Sequence, residues 1–315
     1  YGYFGGGEAS GPTTKSTVDR VDYSNDTTTL AVKGPLSVGT YASAATGNAS
    51  YGWFGARRSP SSNQTSHVDR IDYSNDSIFA SARGFMTGAR YKIAAAGNAS
   101  YGYFGGGVDP GANDYSNVDR IDYSNDTPTA SARGPLSNAR DALAASSNND
   151  YAWFGGGMAS GVYGKTIVDR VDYSSDTTTL AVKGPLSVAR YYLGATGNAS
   201  YGYWGGGNYY SSSHTRHSVV DRFEYSNDTA TALARGPLTS VRYALSATGN
   251  TSYGYFGGGK PSNVSIVDRI DYGNDTATAA VKGPLSVGRM YIAAVSSRAN
   301  AISQTYSQGY VGSYG

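Results

Sequence analysis

Polar and apolar residues alternate along Val168-Asp169-Arg170-Val171-Asp172-Tyr173, which puts Asp169, Val171 and Tyr173 on one face of a predicted strand. The turn residues Ser174-Ser175-Asp176 follow, then the β-branched run Thr177 to Val182, a second strand stopped by Gly184-Pro185. Arg190 to Ala195 predicts another strand. Thr196 to Ser200 predicts a turn, because Gly and Asn tolerate positive φ, and Tyr201-Gly202-Tyr203-Trp204 predicts the next strand. No segment carries a helical period.

This unit is written six times. Its aromatic-glycine opening stands at Tyr1, Tyr51, Tyr101, Tyr151, Tyr201 and Tyr253. A period near 50 residues with four short antiparallel strands per copy predicts an all-β, six-bladed propeller. The rival, a parallel β-helix, has shorter coils and fewer hairpin turns. Arg289 to Val295 repeats the strand that precedes each opening, so residues 289–295 are predicted to complete the blade begun by residues 1–34. Such closure leaves no exposed sheet edge between the termini. The propeller then spans 1–296, with 297–315 a tail or connector. The chain begins without Met and in mid-repeat, which predicts a fragment or a processed product.

Tyr103-Phe104-Gly105-Gly106-Gly107, then Val118 to Tyr123, then Arg133-Gly134-Pro135-Leu136-Ser137 make up one copy's signature. It resembles kelch repeats, and more closely the kelch-like repeats of marine tailed phages of the cyanophage type, over about 300 residues. Cellular kelch domains usually carry a Trp on the fourth strand. Here that stretch is Thr, Ala, Leu and Val, so the packing is expected to differ. The resemblance implies a virion or other extracellular surface as the setting.

Composition narrows the chemistry. Charged residues are 15% and net charge is +2, too weak a basic field for a nucleic-acid surface. The absence of Cys removes disulfides, thiolate metal sites and a copper oxidase with a Cys-Tyr crosslink. No apolar run is long enough to span a membrane and no signal peptide is visible. No P-loop or nucleophile elbow occurs.

Three acids recur in each copy, with bases beside them. Asp19, Arg20, Asp69, Arg70, Asp119, Arg120, Asp169, Arg170, Asp221, Arg222, Asp268 and Arg269 form a charge-balanced frame and are read as structural ion pairs. A carboxylate repeated sixfold is a poor unique acid or base, which argues against a glycosidase pair and for a protein that is not an enzyme. Asp119, Asp122, Asn125 and Asp126 carry oxygens of the kind Ca²⁺ accepts. Their spacing is not that of a calcium loop, so Asx turns are preferred, with no cofactor and no metal expected.

The copies differ after their glycines, at 8–17, 56–67, 108–117, 158–167, 208–219 and 260–266. In a propeller these loops share one face, as a recognition surface would. Candidate ligand-binding residues are Arg57, Arg58, His67, Asp114, Tyr115, Tyr163, Lys165, Tyr209, Tyr210, His214, Arg216 and His217. Tyr and Arg dominate binding hot spots, and tyrosine faces with polar neighbours suit a sugar. The expected function is recognition of a host surface glycan or protein through this face. The alternatives are a structural virion protein that binds other virion subunits through the 297–315 tail, and a peptide-binding kelch adaptor.

Overall fold

In the third copy Ala94–Gly97 pairs with Tyr101–Gly105, that strand with Val118–Asp122, and that one with Ser131–Arg133, all antiparallel. The computed structural model describes residues 1–10, 13–58, 64–159 and 163–297, and the pattern recurs in six four-stranded sheets. They form a six-bladed β-propeller. The innermost strands are Ala44–Gly47, Ala94–Gly97, Ala144–Ser147, Gly194–Gly197, Ser246–Gly249 and Ala293–Ser296. Their small residues line a central channel. Second-strand aromatics such as Tyr103 and Phe104 are fully buried, because both faces of each blade meet a neighbour.

The ring closes as expected: Gly2, Tyr3, Phe4 and Gly5 face Ser296, Val295, Ala294 and Ala293. The closing strand is Ala293–Ser296 and not 289–295. Tyr291 takes φ 54°, which breaks an extended strand before it. Tyr192 does the same at φ 55°, so the fifth blade's inner strand is Gly194–Gly197 and begins later than Arg190. The outer strand Ala181–Lys183 is likewise shorter than the β-branched run. Of the predicted 297–315 tail, residues 298–315 lie outside the described residues.

Three acids per copy do three different jobs. The turn aspartate of each blade reaches into the preceding one. Asp176 accepts from Tyr103 Oη at 2.8 Å and Arg120 at 2.8 Å, and Arg133 lies 3.2 Å away. Asp228 meets Trp153, Arg170 and Lys183 in the same way. The backbone carbonyl of Asp176 accepts from Gly134, where a Cβ would stand 1.7 Å from the Thr178 carbonyl oxygen, so only glycine fits. Beside each aspartate a second-strand aromatic stacks on a tyrosine of the next blade, as Trp153 does on Tyr225 at 4.0 Å. Asp172 caps its own turn by accepting from the Ser174 amide and hydroxyl.

The third acid is buried outright. Asp221 and Arg190 are both 0% exposed and lie 2.7 Å apart, and Ser187 also donates to Asp221. Adjacent frame residues such as Asp169 and Arg170 therefore do not pair with each other. Asp169 takes Arg140 while Arg170 reaches Asp228, because neighbours on a strand point to opposite faces.

The second blade breaks this rule and repairs it. Position 40 carries Thr where Arg90, Arg140, Arg190, Arg242 and Arg289 serve the other blades. Asp69 is instead neutralised by Arg57 at 2.5 Å. Arg57 is only 5% exposed, so it belongs to the frame and not to the ligand-binding set. A buried carboxylate needs a partner from somewhere, and a register shift between Gly55 and Arg57 brings this one in.

Candidate functional site: the channel mouth

Between each outer strand and the next inner strand the chain turns at one residue of left-handed φ. These six are Ala42, Lys92, Ala142, Tyr192, Ala244 and Tyr291, at 53–57°. None is glycine, although the conformation costs an L side chain roughly 1–2 kcal/mol. A closed belt of backbone hydrogen bonds offsets that cost. Ala42 N–H donates to Tyr291 C=O, Tyr291 to Ala244, Ala244 to Tyr192, Tyr192 to Ala142, Ala142 to Lys92, and Lys92 to Ala42, at 2.8–2.9 Å. The belt fixes six side chains around the channel mouth whatever their chemistry.

That chemistry is not sixfold. Tyr192 and Tyr291 meet edge to face at 5.0 Å, and Tyr291 lies 6.1 Å from Tyr41. Arg58 sits over Tyr41 at 5.8 Å and Tyr91 at 5.3 Å. The Lys92 ammonium sits over Tyr91 at 5.3 Å and returns to Tyr192 at 5.5 Å. Tyr192, Tyr291, Tyr41, Arg58, Tyr91 and Lys92 thus form a closed ring of aromatic faces and cations. Lys92, Tyr192 and Tyr291 of this ring line a funnel of about 100 Å³, together with Ala45, Ala95, Ala145, Ala195 and Ala294. Lys92 is the only charged residue among those lining it.

Behind Lys92 lies Asp141, 1% exposed, with one oxygen 3.3 Å from the ammonium and Oδ1 without a hydrogen-bond partner. Burial pushes its carboxyl up to about 6, against the pull of Lys92. Burial also raises the phenols of Tyr41, Tyr191, Tyr192 and Tyr291, so they stay neutral donors near neutral pH.

The variable loops lean on this mouth. Their first residues bridge the positions just before the belt: Glu8 to Met290, Arg58 to Tyr41, Val108 to Tyr91, Met158 to Asp141, Asn208 to Tyr191 and Lys260 to Tyr243. Two loops extend the aromatic ring outward. Tyr163 packs 6.3 Å from Tyr191 and 5.2 Å from Tyr210, and Tyr210 packs 4.7 Å from His214. Asn208 donates to Tyr191 Oη at 2.7 Å and meets His214 Nδ1 at 2.8 Å. Tyr209 lies over Gly164, on the opposite face of the hairpin Asn208–Tyr210/His214–Arg216.

No protein-family model matches the chain, and no curated protein matches it by sequence. Among solved structures it is similar to one titled "Structure of YjhT", with a TM-score of 0.70 over 89% of this chain and 97% of that one, at 11% identity. A likeness at that identity shows the propeller fold alone.

The remaining predicted site residues scatter. His67 pairs with Phe85 across the outer strands, with rings 4.8 Å apart. Tyr115 spends its hydroxyl on Asp109 within its own loop, where Asp114 bridges Val108. Lys165 bridges Arg190 through the backbone, and Arg216 is exposed on the hairpin. His217 is half-buried and held down in pKa first by burial and then by Arg190. Among the described residues no group of three or more His, Asp or Glu side chains gathers as a metal site.

Sequence reasoning missed Tyr41, Tyr91, Lys92, Asp141, Tyr192 and Tyr291. The signal was available as a comparison of copies. Lys92 and Asp141 are charges outside the frame, and they depart from Ala and Tyr at the matching positions of other blades.

Proposed function

We propose that this protein is a non-enzymatic recognition module that binds a surface glycan through the loop face, centred on the channel mouth. The observation that carries this reading is the ring of four tyrosines and two cations around the funnel, extended outward by Tyr163 and Tyr210. Flat neutral phenols present apolar faces to sugar C–H groups and hydroxyls to sugar oxygens. The repeating acids are committed to frame contacts, and Asp141, behind the ring, is tied to Lys92 rather than to a second carboxylate. That arrangement favours binding over glycoside hydrolysis. The virion setting rests on the resemblance of the repeats alone. Weak single sites on such a particle would gain strength through many copies.

The test is a glycan array probed with the domain displayed multivalently. A hit is expected to vanish in the double variant Tyr192→Ala/Tyr291→Ala with no loss of fold. A blank array, or a hit that ignores both the mouth and the 208–219 loop, would return weight to the structural virion role.

A further inference from the structure

The mouth departs from sixfold symmetry in a complementary way. In the inner ring, three blades carry Ala and three carry Lys92, Tyr192 and Tyr291; in the ring before it, four blades carry Tyr, one Met290 and one Asp141. The single cation and the single anion of these two rings stand on neighbouring blades and meet at 3.3 Å. The frame does not need them, since its own carboxylates are paired elsewhere. Stability does not call for them either, because a buried pair rarely outperforms the apolar residues that other blades carry at the same positions.

An ammonium has three donors. One serves Asp141, and the Tyr91 and Tyr192 faces flank the group. Asp141 is too buried to touch a ligand, so its part is to hold Lys92 and to balance its charge. The funnel is a cavity of about 100 Å³ lined by Lys92, Tyr192 and Tyr291, room for one end of a ligand. Resting on the glycan reading above, we propose that the mouth is a terminal-sugar subsite in which Lys92 donates to hydroxyls of a neutral monosaccharide stacked on Tyr192 or Tyr291, while Asp141 is a positioning residue that cancels the ammonium charge, so that neutral sugars are accepted and acidic ones refused.

A pH dependence follows. Lys92 of the third blade and Asp114 of that blade's loop act on Asp141, Asp114 reinforcing the upward shift that burial causes, and the Asp141 charge in turn raises Tyr192 of the fifth blade. Below about pH 6 Asp141 is neutral and the Lys92 charge is uncompensated. The refusal of acidic sugars is then lifted.

The experiment titrates the full chain with methyl glucoside, methyl galactoside and methyl glucuronide, followed by backbone-amide NMR at Lys92 and Ala142. At pH 7.5 a neutral glycoside is expected to bind about tenfold more tightly than the glucuronide. Lys92→Ala removes neutral binding. Lowering the pH through 6, or Asp141→Asn, raises glucuronide affinity about tenfold, and Asp141→Asn no longer responds to pH. Should Asp141→Asn fold poorly, Asp141→Tyr installs the residue four other blades carry. Neutral binding by Lys92→Ala within twofold of the parent would overturn the proposal, as would a preference indifferent to both pH and Asp141. If an array hit survives Lys92→Ala but not Tyr210→Ala, the glycan reading stands and this subsite falls. If array and titrations are both blank, both fall.

Discussion

The frame between blades and the ring around the channel mouth use the same residue types under opposite rules. In the frame, tyrosine, arginine and aspartate recur at matched positions, and each contact is repeated around the propeller, as at Asp176 and Asp228. At the mouth the backbone belt is sixfold but the side chains are not. Where backbone geometry is shared and chemistry differs, packing has stopped dictating the residue. The comparison separates what the fold requires from what it merely holds in place.

The frame breaks most easily at its buried pairs. Arg190→Ala is expected to destabilise by about 3–5 kcal/mol, since it strands Asp221 at zero exposure. Denaturant unfolding measures it, and a loss under 1 kcal/mol would mean that Ser187 and water suffice. Arg170→Ala is milder, about 1–2 kcal/mol, because that arginine is 23% exposed and shares Asp228 with Lys183.

The second blade sharpens the same point. Arg57→Ala is expected to cost about 3–5 kcal/mol, as at other buried pairs. Adding Thr40→Arg to it rebuilds the arrangement of the other five blades, and most of the lost stability should return. If the double variant is no more stable than Arg57→Ala alone, the arginine introduced at position 40 does not neutralise Asp69 and the second blade is not equivalent to the other five.

The six copies made the architecture legible, because strand alternation, turn residues and the Gly-Pro stops all repeat. Strand boundaries near the channel were not legible. Left-handed φ at Tyr192 and Tyr291 delays the start of those strands, and nothing in a run such as Arg-Tyr-Tyr-Leu announces it. The repeated acids find their partners in other strands and other blades, beyond local spacing. Arg57 reads as a loop residue until Thr40 is seen to leave Asp69 without its usual arginine. The mouth escaped because its tyrosines resemble frame tyrosines, and only placement around the channel separates them.

Asp141 offers a comparison of charge states. Its carboxyl is raised from 3.8 to about 6, so its contribution to stability is present below the unfolded value and is lost as pH rises through 6. The gap corresponds to at most about 3 kcal/mol. Frame and turn acids such as Asp26 and Asp172 are shifted downward and work in the other direction, losing stability as pH falls. The informative quantity is therefore the parent minus Asp141→Asn. That difference should fall by about 1–3 kcal/mol between pH 4 and 7. A flat difference would place Asp141 in a better-solvated setting than its 1% exposure implies.

The smallest stability effect belongs to the ring itself. Tyr192→Ala/Tyr291→Ala gives two blades the residue that Ala42, Ala142 and Ala244 already provide at the same φ, within the same hydrogen-bonded belt. The molecule contains its own control: three of six blades fold with alanine there. The expected change in unfolding free energy is small, about 0.5–1 kcal/mol for the pair, mostly lost edge-to-face contact. Glycan binding, by contrast, should be abolished. A loss of several kcal/mol would show that the two rings brace the propeller. Their departure from alanine would then be structural, and the mouth would belong to the frame after all.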